Sequence, residues 1–235
     1  MKILNLNSFK TLALAGILLI SFTNCKPIEN ANNKQKGAVI GAAGGAVLGA
    51  ILGNNLGKGG NSELGAVIGG VVGGGAGVLI GNRMDKQAQR IEEEIPGAQV
   101  ERIDDAIVVT FDENSGVYFA TDKYDINNAS QQSLNKLSNI FKEYSDTKIL
   151  VVGHTDSVGA ESYNMTLSKN RANSVTNYLM STGLNSGRFT TKWFGESQPK
   201  HDNSTAEGRA KNRRVNIAIL PNEEMIQNAQ NQVNN

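Results

Sequence analysis

Hydrophobic and polar positions change their spacing several times along the chain, and each change marks a different segment. The first segment is an apolar run, TLALAGILLI, which spans residues 11–20 and follows Lys2 and Lys10. A run of this length is short for a membrane span, and its positively charged start is typical of a secretory signal. We therefore predict that residues 1–24 are a signal peptide and that the remainder of the chain is exported.

The second segment places glycine at every fourth position, with mostly Ala, Val, Ile and Leu between. These glycines are Gly37, Gly41, Gly45, Gly49 and Gly53, and then Gly65, Gly69, Gly73, Gly77 and Gly81. A period of four keeps them on one side of an α-helix, and such a side lets two helices pack closely. We predict that residues 37–81 form a helical hairpin around the polar turn NNLGKGGNS. The alternative is a flexible glycine-rich spacer.

From Arg83 the pattern becomes polar and favours helix until Pro96, so residues 82–98 are interpreted as a connector. Beyond the connector, strand-like and helix-like patterns alternate. Strands are predicted at VERI, AIVVTF, KILVVG, RFTTKWFG and RVNIAIL, with a hairpin turn at Asp104 and Asp105 and a further strand and loop in GVYFATDKYDIN. Helices are predicted at residues 128–144 and 161–180 and, as a short one, near Thr205.

This order of elements is of the βαβαβ type and predicts an α+β fold, with a small sheet covered by helices, over residues 99–220. The first long helix is amphipathic, and its apolar face carries Leu134, Leu137, Ile140 and Phe141. The tail at residues 221–235 is rich in Asn and Gln with little apolar content, so we predict that it is disordered.

The charge of the chain is nearly balanced, with 23 basic and 22 acidic residues and a formal net charge of +1. This balance gives no reason to expect nucleic acid as a partner. His154 and His201 are the only histidines. A metal cluster would therefore lack ligands, and we expect neither a metal nor another cofactor.

Cys25 is the only cysteine and directly follows the signal-like segment, so the chain cannot form an internal disulfide. The stretch SFTNC resembles the lipobox of bacterial lipoproteins, although Phe22 and Asn24 differ from the residues usual at those positions. The resemblance implies that Cys25 is lipidated, for example with palmitate, and that residues 25–36 are a lipidated tether. Because Lys26 does not look like an inner-membrane retention signal, the outer membrane is the expected location. The alternative is a free cysteine behind an ordinary cleaved signal.

Four ordered motifs carry a second resemblance. They are GHTDSVG at 153–159, YNMTLSKNRANSVTNYL at 163–179, GESQP at 195–199 and NSTAEGRAKNRRVNI at 203–217. Together they resemble the OmpA-like peptidoglycan-associating domain, with a core at residues 119–220, and the whole chain resembles the OmpA-family lipoproteins of the outer membrane. The resemblance implies a mixed sheet with helices on one side. It also implies noncovalent binding of diaminopimelate, or a similar diamino acid, in peptidoglycan stem peptides.

The residues themselves agree with such a ligand. Arg171 lies on a helix face with Leu167, Val175 and Leu179. A cation on an apolar face needs a partner, and Asp156 lies in the loop that leads to the same helix. By resemblance, Asp156 binds the ammonium group of the diamino acid and Arg171 binds its carboxylate, while Asn164 and Thr155 add hydrogen bonds. The alternative is that Asp156 and Arg171 only neutralise each other.

Arg213 lies two residues before Val215 and four before Ile217, so the alternation of the last strand points it to the same face of the sheet. It is predicted to be a third site residue. Arg214 has the opposite parity, and we expect it to form a solvated basic face with Arg209 and Lys211.

The predicted function is that of a non-enzymatic anchor. Acyl chains, and the glycine hairpin as well, would hold the protein in the outer membrane, and the carboxy-terminal domain would bind peptidoglycan on the periplasmic side. The glycine faces also suggest a homo-oligomer. The alternatives are a Pal-like lipoprotein of a Tol-type trans-envelope complex and a peptidoglycan-acting hydrolase. His154, Asp156 and Ser157 prompt the hydrolase, but they share one extended stretch and show no nucleophile elbow, so we expect His154 to be a hydrogen-bonded loop anchor.

Overall fold

The computed structural model describes residues 74–112, 116–119 and 122–234. The predicted signal peptide, Cys25, the tether and residues 37–73 of the glycine hairpin lie outside the described residues. The elements in chain order are α1 (Gly74–Glu94), β1 (Gln99–Ile103), β2 (Ala106–Phe111), α2 (Asn128–Glu143), β3 (Thr147–Gly153), α3 (Glu161–Ser181), β4 (Phe189–Trp193), α4 (Ala206–Asn212), β5 (Val215–Pro221) and α5 (Glu223–Asn234), with a 3-10 turn (Ser186–Arg188) before β4.

The five strands form one mixed sheet in the order β1, β2, β5, β3, β4. Strands β1 and β2 form an antiparallel hairpin whose turn contains Asp104 at a φ of 49°, a left-handed conformation that Asp tolerates better than most residues. Strand β5 runs antiparallel to both β2 and β3. Strands β3 and β4 are parallel, and α3 provides the crossover that a parallel pair requires.

The helices pack on one face of this sheet. Buried side chains of α1, α2, α3 and α5 share a single apolar cluster with inward-facing strand residues such as Val109, Val151 and Ile217. The strand residues between them, such as Val108 and Leu150, form a second cluster to which no described helix contributes. The predicted α+β class, the mixed sheet and the helices on one side are therefore confirmed, and all four predicted core residues of α2 are buried.

Helix α1 does not follow the predicted boundary between residues 81 and 82. It is one continuous helix of 21 residues that begins inside the second glycine stretch and runs through most of the predicted connector. Ile80, Met84, Ala88 and Ile91 lie on one side of it and are buried in the main core. This apolar stripe was not recognised from the sequence, because polar residues separate its members. No helix in the described ranges is both long and apolar enough to cross a membrane.

The predicted disorder of the tail is wrong, because residues 223–234 form α5. The Asn222 side chain accepts a hydrogen bond from the backbone N–H of Met225 at 2.9 Å and so caps the first turn. Met225 and Ala229, four residues apart, are buried in the main core. Met225 and Ala229 thus join this helix to the main core although the average composition of the segment is polar.

The segment GVYFATDKYDIN contains no strand within residues 116–119 and 122–127, so that prediction is wrong for the described part of the segment. The backbone of Tyr118 is instead held by side chains at the start of α2 and at its N-cap. Ser130 Oγ accepts from the N–H of Tyr118 at 3.2 Å, and the Asn127 side chain donates to the Tyr118 carbonyl at 2.9 Å. Tyr118 is therefore tied to the first turn of α2.

Candidate functional site

The candidate site lies where β3 ends and α3 begins. Gly153 closes the strand, and a Cβ at this position would come within 2.2 Å of the Ser168 carbonyl oxygen. The end of β3 and the second turn of α3 can approach this closely only because the residue is glycine. The connecting loop, residues 154–160, is consequently held against the start of α3.

Asn164 fastens this loop to the helix. Its side-chain Nδ2 donates to the carbonyl oxygens of Asp156 at 3.3 Å and Val158 at 3.1 Å. The same nitrogen also contacts Oε2 of Glu196, which lies in the loop after β4. Asn164 is 2% exposed, and its contacts join the loop after β3 to the loop after β4.

The Asp156 carboxylate has partners on both of its oxygens. Oδ1 accepts from the N–H of Val158 at 3.0 Å, and Oδ2 forms an ion pair with Nη1 of Arg213 at 2.7 Å. The side chains are 11% exposed for Asp156 and 22% exposed for Arg213, so water screens the pair only in part. Arg213 is the residue that caps the carboxy-terminal end of α4.

Arg171 lies in the middle of α3 and is 2% exposed. Its Nε donates to the Lys123 carbonyl at 3.0 Å, and its guanidinium lies 5.3 Å from the centre of the Phe119 ring. Burial, and after it the positive charge of Arg213, lowers the pKa of Arg171 to about 10, while Asp156 and other neighbours act in the opposite direction. Arg171 is therefore still a cation at neutral pH, and it ties the loop at residues 122–127 to the site.

Thr155 is 3% exposed, and its N–H donates to the Gly195 carbonyl at 2.9 Å. Its hydroxyl has no hydrogen-bond partner within the described part of the chain. A buried hydroxyl without a partner is costly, so this oxygen is well suited to meet a ligand. The predicted ligand contact of Thr155 stays a prediction.

The structure thus brings Asp156, Asn164 and Arg213 into one contact network, with Arg171 close enough that the charge of Asp156 raises its pKa. The carboxylate forms its ion pair with Arg213, whereas the sequence pattern suggested Arg171. The roles of all these residues toward a ligand stay predictions.

Sequence reasoning missed Glu196, although it lies in the quoted motif GESQP. The signal was the glycine before it. Gly195 has a φ of 54°, and a Cβ there would meet the backbone N of Met165 at 3.1 Å. Because Gly195 has no side chain, the loop after β4 can approach α3 closely. The next residue, Glu196, then contacts Asn164 on that helix.

The expected solvated basic face is wrong for Arg214, which is 2% exposed. Its Nε donates to Asn216 Oδ1 at 3.1 Å and its Nη2 to the Gln198 carbonyl at 3.0 Å. Burial lowers the pKa of Arg214 to about 10. The alternation of strand residues correctly predicted that the Arg214 side chain points away from the helices. The loop at residues 195–205 covers this end of the outer sheet face, so Arg214 is not solvated.

His154 was expected to be a hydrogen-bonded loop anchor, and the hydrogen bond that it makes comes from its backbone rather than from its ring. The ring is fully buried and stacks on Phe194 at 6.0 Å between centroids, and neither ring nitrogen has a hydrogen-bond partner among the described residues. Burial, followed by the positive charges of Arg214 and Lys200, lowers its pKa well below the usual value. His154 holds the loop by packing and through its backbone N–H, which donates to the Arg214 carbonyl at 3.0 Å.

Two family models match the chain. The model described as the OmpA family matches residues 118–213, and the model described as YMGG-like Gly-zipper matches residues 4–85. The first range includes every residue of the contact network described above, and the second ends inside α1.

Similar curated proteins include Probable lipoprotein YiaD of Escherichia coli strain K12, which is 35% identical over 144 residues covering 60% of this chain and 65% of that protein. A protein named Peptidoglycan-associated lipoprotein, of Buchnera aphidicola subsp. Baizongia pistaciae, is 37% identical over 98 residues covering 42% of this chain and 57% of that protein. The chain therefore spans somewhat less than two thirds of the length of these relatives.

Among solved structures, a MotB-like protein from Desulfovibrio vulgaris is similar with a TM-score of 0.51 and 24% sequence identity. The match covers 62% of this chain and 91% of that chain. At this identity the likeness concerns the fold alone.

Proposed function

We propose that the carboxy-terminal domain, whose residues 118–213 match the OmpA family model, binds peptidoglycan noncovalently and anchors the outer membrane to the cell wall. The observation that carries the proposal is the part-buried network of Asp156, Arg213, Arg171 and Asn164 at the end of β3. The name of the Buchnera relative, which associates that protein with peptidoglycan, supports the same proposal.

The chemical class of the ligand follows from the charges. The diamino acid of a stem peptide, diaminopimelate or a similar residue, carries an ammonium and a carboxylate on one carbon atom. Asp156 would accept hydrogen bonds from the ammonium, sharing its carboxylate with Arg213. Arg171 would bind the ligand carboxylate through its guanidinium fork.

The mutual effect of the two arginines supports an anionic group at this place. The positive charge of Arg213 lowers the pKa of Arg171, which means that the two cations lie near each other and repel. A ligand carboxylate beside both guanidinium groups would relieve this repulsion. The Thr155 hydroxyl would add a donor, and Asn164 would act by holding the loop that carries Asp156.

We propose that binding is not accompanied by a reaction. In the described residues the ring nitrogens of His154 contact no hydroxyl or carboxylate, so His154 is not arranged as a general base. Both relatives named above carry the word lipoprotein in their names, and neither name refers to an enzymatic activity.

The membrane end of the anchor is proposed from the sequence. Lipidation of Cys25 would hold the protein in the outer membrane with the domain in the periplasm, and the match of residues 4–85 to a Gly-zipper family supports close packing of the glycine stretches that precede α1. Packing of glycine faces between copies would give a homo-oligomer.

A second candidate function is a Pal-like role in a Tol-type trans-envelope complex, and the 37% identity to the Buchnera protein favours it. A member of such a complex would co-purify with Tol-type envelope proteins after crosslinking in cells, even when Asp156 is replaced. A passive anchor would not.

The deciding experiment is co-sedimentation of the purified full chain, in detergent, with isolated peptidoglycan sacculi. Binding should be competed by free meso-diaminopimelate and should release no muropeptides. Lys211→Gln is a suitable control, since the Lys211 ammonium pairs at 2.7 Å with Glu207 on the surface of α4. Absence of sedimentation with folded protein would overturn the proposal.

A further inference from the structure

Large apolar side chains that remain exposed lie in two places on the described part of the molecule. Tyr118, Tyr124, Val158 and Tyr163, between 39% and 63% exposed, belong to the loops and the helix turn around the candidate site. The others, Val78, Leu79 and Val233, lie on α1 and at the end of α5. An exposed group of large apolar side chains next to a binding site commonly marks a contact surface.

Each member of the first group is tied to a residue of the candidate site or to its immediate neighbour. Val158 donates its N–H to Asp156 Oδ1 at 3.0 Å. Tyr124 follows Lys123, whose carbonyl accepts from Arg171 Nε at 3.0 Å. Tyr118 precedes Phe119, whose ring lies below the Arg171 guanidinium.

Tyr163 stands in the first turn of α3 and is linked to the opposite loop. Its hydroxyl hydrogen-bonds the Asp122 carboxylate; burial and the negative charge of Asp122 raise its pKa. The three tyrosines, Tyr118, Tyr124 and Tyr163, are here called the aromatic rim. The backbone of Tyr118 is held by Ser130 and Asn127 and the phenol of Tyr163 by Asp122, so part of the rim is ordered before a ligand binds.

We propose that the aromatic rim is a second subsite, which stacks against the N-acetylated sugars of the glycan strand while Asp156 and Arg171 hold the stem peptide. A pyranose ring presents a face of C–H groups that packs on an aromatic ring, and its hydroxyl and acetamido groups hydrogen-bond to phenol oxygens. Tyrosine offers both kinds of contact. This proposal rests on the proposed function, because the stem peptide is what brings the sugar to the rim.

The distances agree with this arrangement. The diamino acid is a few residues from its sugar, and a few extended residues at about 3.5 Å each reach about 10 Å. Tyr163 and Arg171 are eight residues apart on α3, which corresponds to about 12 Å along the helix axis. A peptide held at Arg171 can therefore place its sugar at the level of Tyr163.

The test compares two soluble probes on the full chain in detergent by titration calorimetry. One probe is a free stem peptide that contains diaminopimelate, and the other is the same peptide attached to its disaccharide. The unaltered protein should bind the disaccharide peptide about three- to tenfold more tightly, as one or two aromatic contacts would provide. Tyr163→Ala and Tyr124→Ala should remove this difference while leaving the affinity for the free peptide unchanged.

Two further variants sharpen the result. Tyr163→Phe keeps the ring and should retain most of the difference, whereas Val233→Ala, in the second exposed group, should retain all of it. If the unaltered protein binds both probes equally, or if the alanine variants retain the difference, the glycan subsite is overturned and the peptide site still stands. If the alanine variants lose affinity for the free peptide as well, the rim belongs to the peptide site and the subsite is again overturned. If neither probe binds, the proposed function itself fails.

Discussion

At the scale of single residues, the candidate site depends on a few side chains that each serve two purposes. Asp156 orders its own loop through Oδ1 and holds Arg213 through Oδ2. Asn164 joins two loops through one nitrogen. Residues of this kind can be tested separately for fold and for binding, because conservative replacements remove one purpose and keep the other.

Asp156→Asn should retain the acceptor for the Val158 N–H but lose the negative charge. Because the Asp156–Arg213 pair is only partly screened by water, we expect the free energy of unfolding to fall by about 1–2 kcal/mol, less than for a fully buried pair. Sedimentation with sacculi should be abolished. Urea unfolding and co-sedimentation measure the two effects, and an Asn variant that still binds sacculi would contradict the assigned role.

His154 predicts a dependence of stability on pH. Its pKa in the folded protein is lowered well below 6.5 by burial and by Arg214 and Lys200, so the unfolded chain takes up a proton first as the pH falls. Stability due to His154 is complete above pH 6.5 and is lost below it, at up to about 1.4 kcal/mol per pH unit.

Melting curves between pH 7.5 and pH 5 should show this loss, and His154→Gln should flatten the curve. The replacement of the exposed His201 by Gln is the matched control and should alter the slope far less. A slope that is unchanged in the His154 variant would show that other groups cause the dependence.

Part of the site could be predicted from the sequence, because local connectivity determines it. Asp156 lies directly after a strand, and Arg171 lies on the apolar face of the next helix, so their proximity follows from a strand, loop and helix order. The pairing of Asp156 with Arg213 could not be predicted, since the residues are 57 positions apart and the contact depends on how α4 ends. Strand parity likewise gave the direction of Arg214 but not the loop that buries it.

At the scale of elements, strands and long helices were predicted well where one hydrophobic period dominates, as in α2, β3 and β5. Among the helices the errors fall on α1 and α5, whose buried residues are widely spaced among polar ones. These two helices also contact each other, so neither one can be recognised from its own segment alone. Average composition is a poor guide when a helix buries only a narrow stripe.

Helix α1 can be tested by removing one of its core side chains. Met84 is completely buried, and Met84→Ala should lower the free energy of unfolding by about 2–4 kcal/mol through lost apolar contacts and a cavity. Lys86→Ala, on the exposed side of the same helix, should change it by less than about 0.5 kcal/mol. If both replacements lowered the free energy of unfolding by equally small amounts in urea, α1 would not be part of the core and would be a connector.

Gly153 tests the contact between β3 and α3. Gly153→Ala would drive a Cβ into the Ser168 carbonyl, so the helix must move, and we expect a loss of about 2 kcal/mol or more together with weaker sedimentation with sacculi. Gly81→Ala is the control, because a Cβ there has no neighbour within 4 Å and alanine favours helix by up to about 1 kcal/mol. A stable, fully binding Gly153 variant would contradict the close packing of the site.

At the scale of the whole molecule, one apolar cluster includes residues from four helices and from the inward face of the sheet. The candidate site lies where β3 ends and α3 begins, and α1 packs in the same core. The order of strands and helices allowed the fold class to be predicted. That order did not show that α1 and α5 complete the same core, because this requires contacts between the two ends of the domain.

A shared core predicts that α1 unfolds together with the sheet. Backbone amides around Ile80 to Ile91 should exchange with solvent deuterium nearly as slowly as those of β3 and β5, since both would need global unfolding. Hydrogen exchange of the full chain, followed by mass spectrometry, measures both groups in one experiment. Exchange in α1 that is faster by several orders of magnitude would show that the helix opens independently.

The integration of α1 into the core also has a mechanical consequence. If the wall holds the domain at the loop after β3 and the membrane holds the amino-terminal side, tension reaches the described part of the domain through α1. Within the described residues, the first structure to bear that load is then the packing of α1 on α5, α2 and β1. The force that this domain can bear would therefore depend on how strongly α1 packs against the rest of its core.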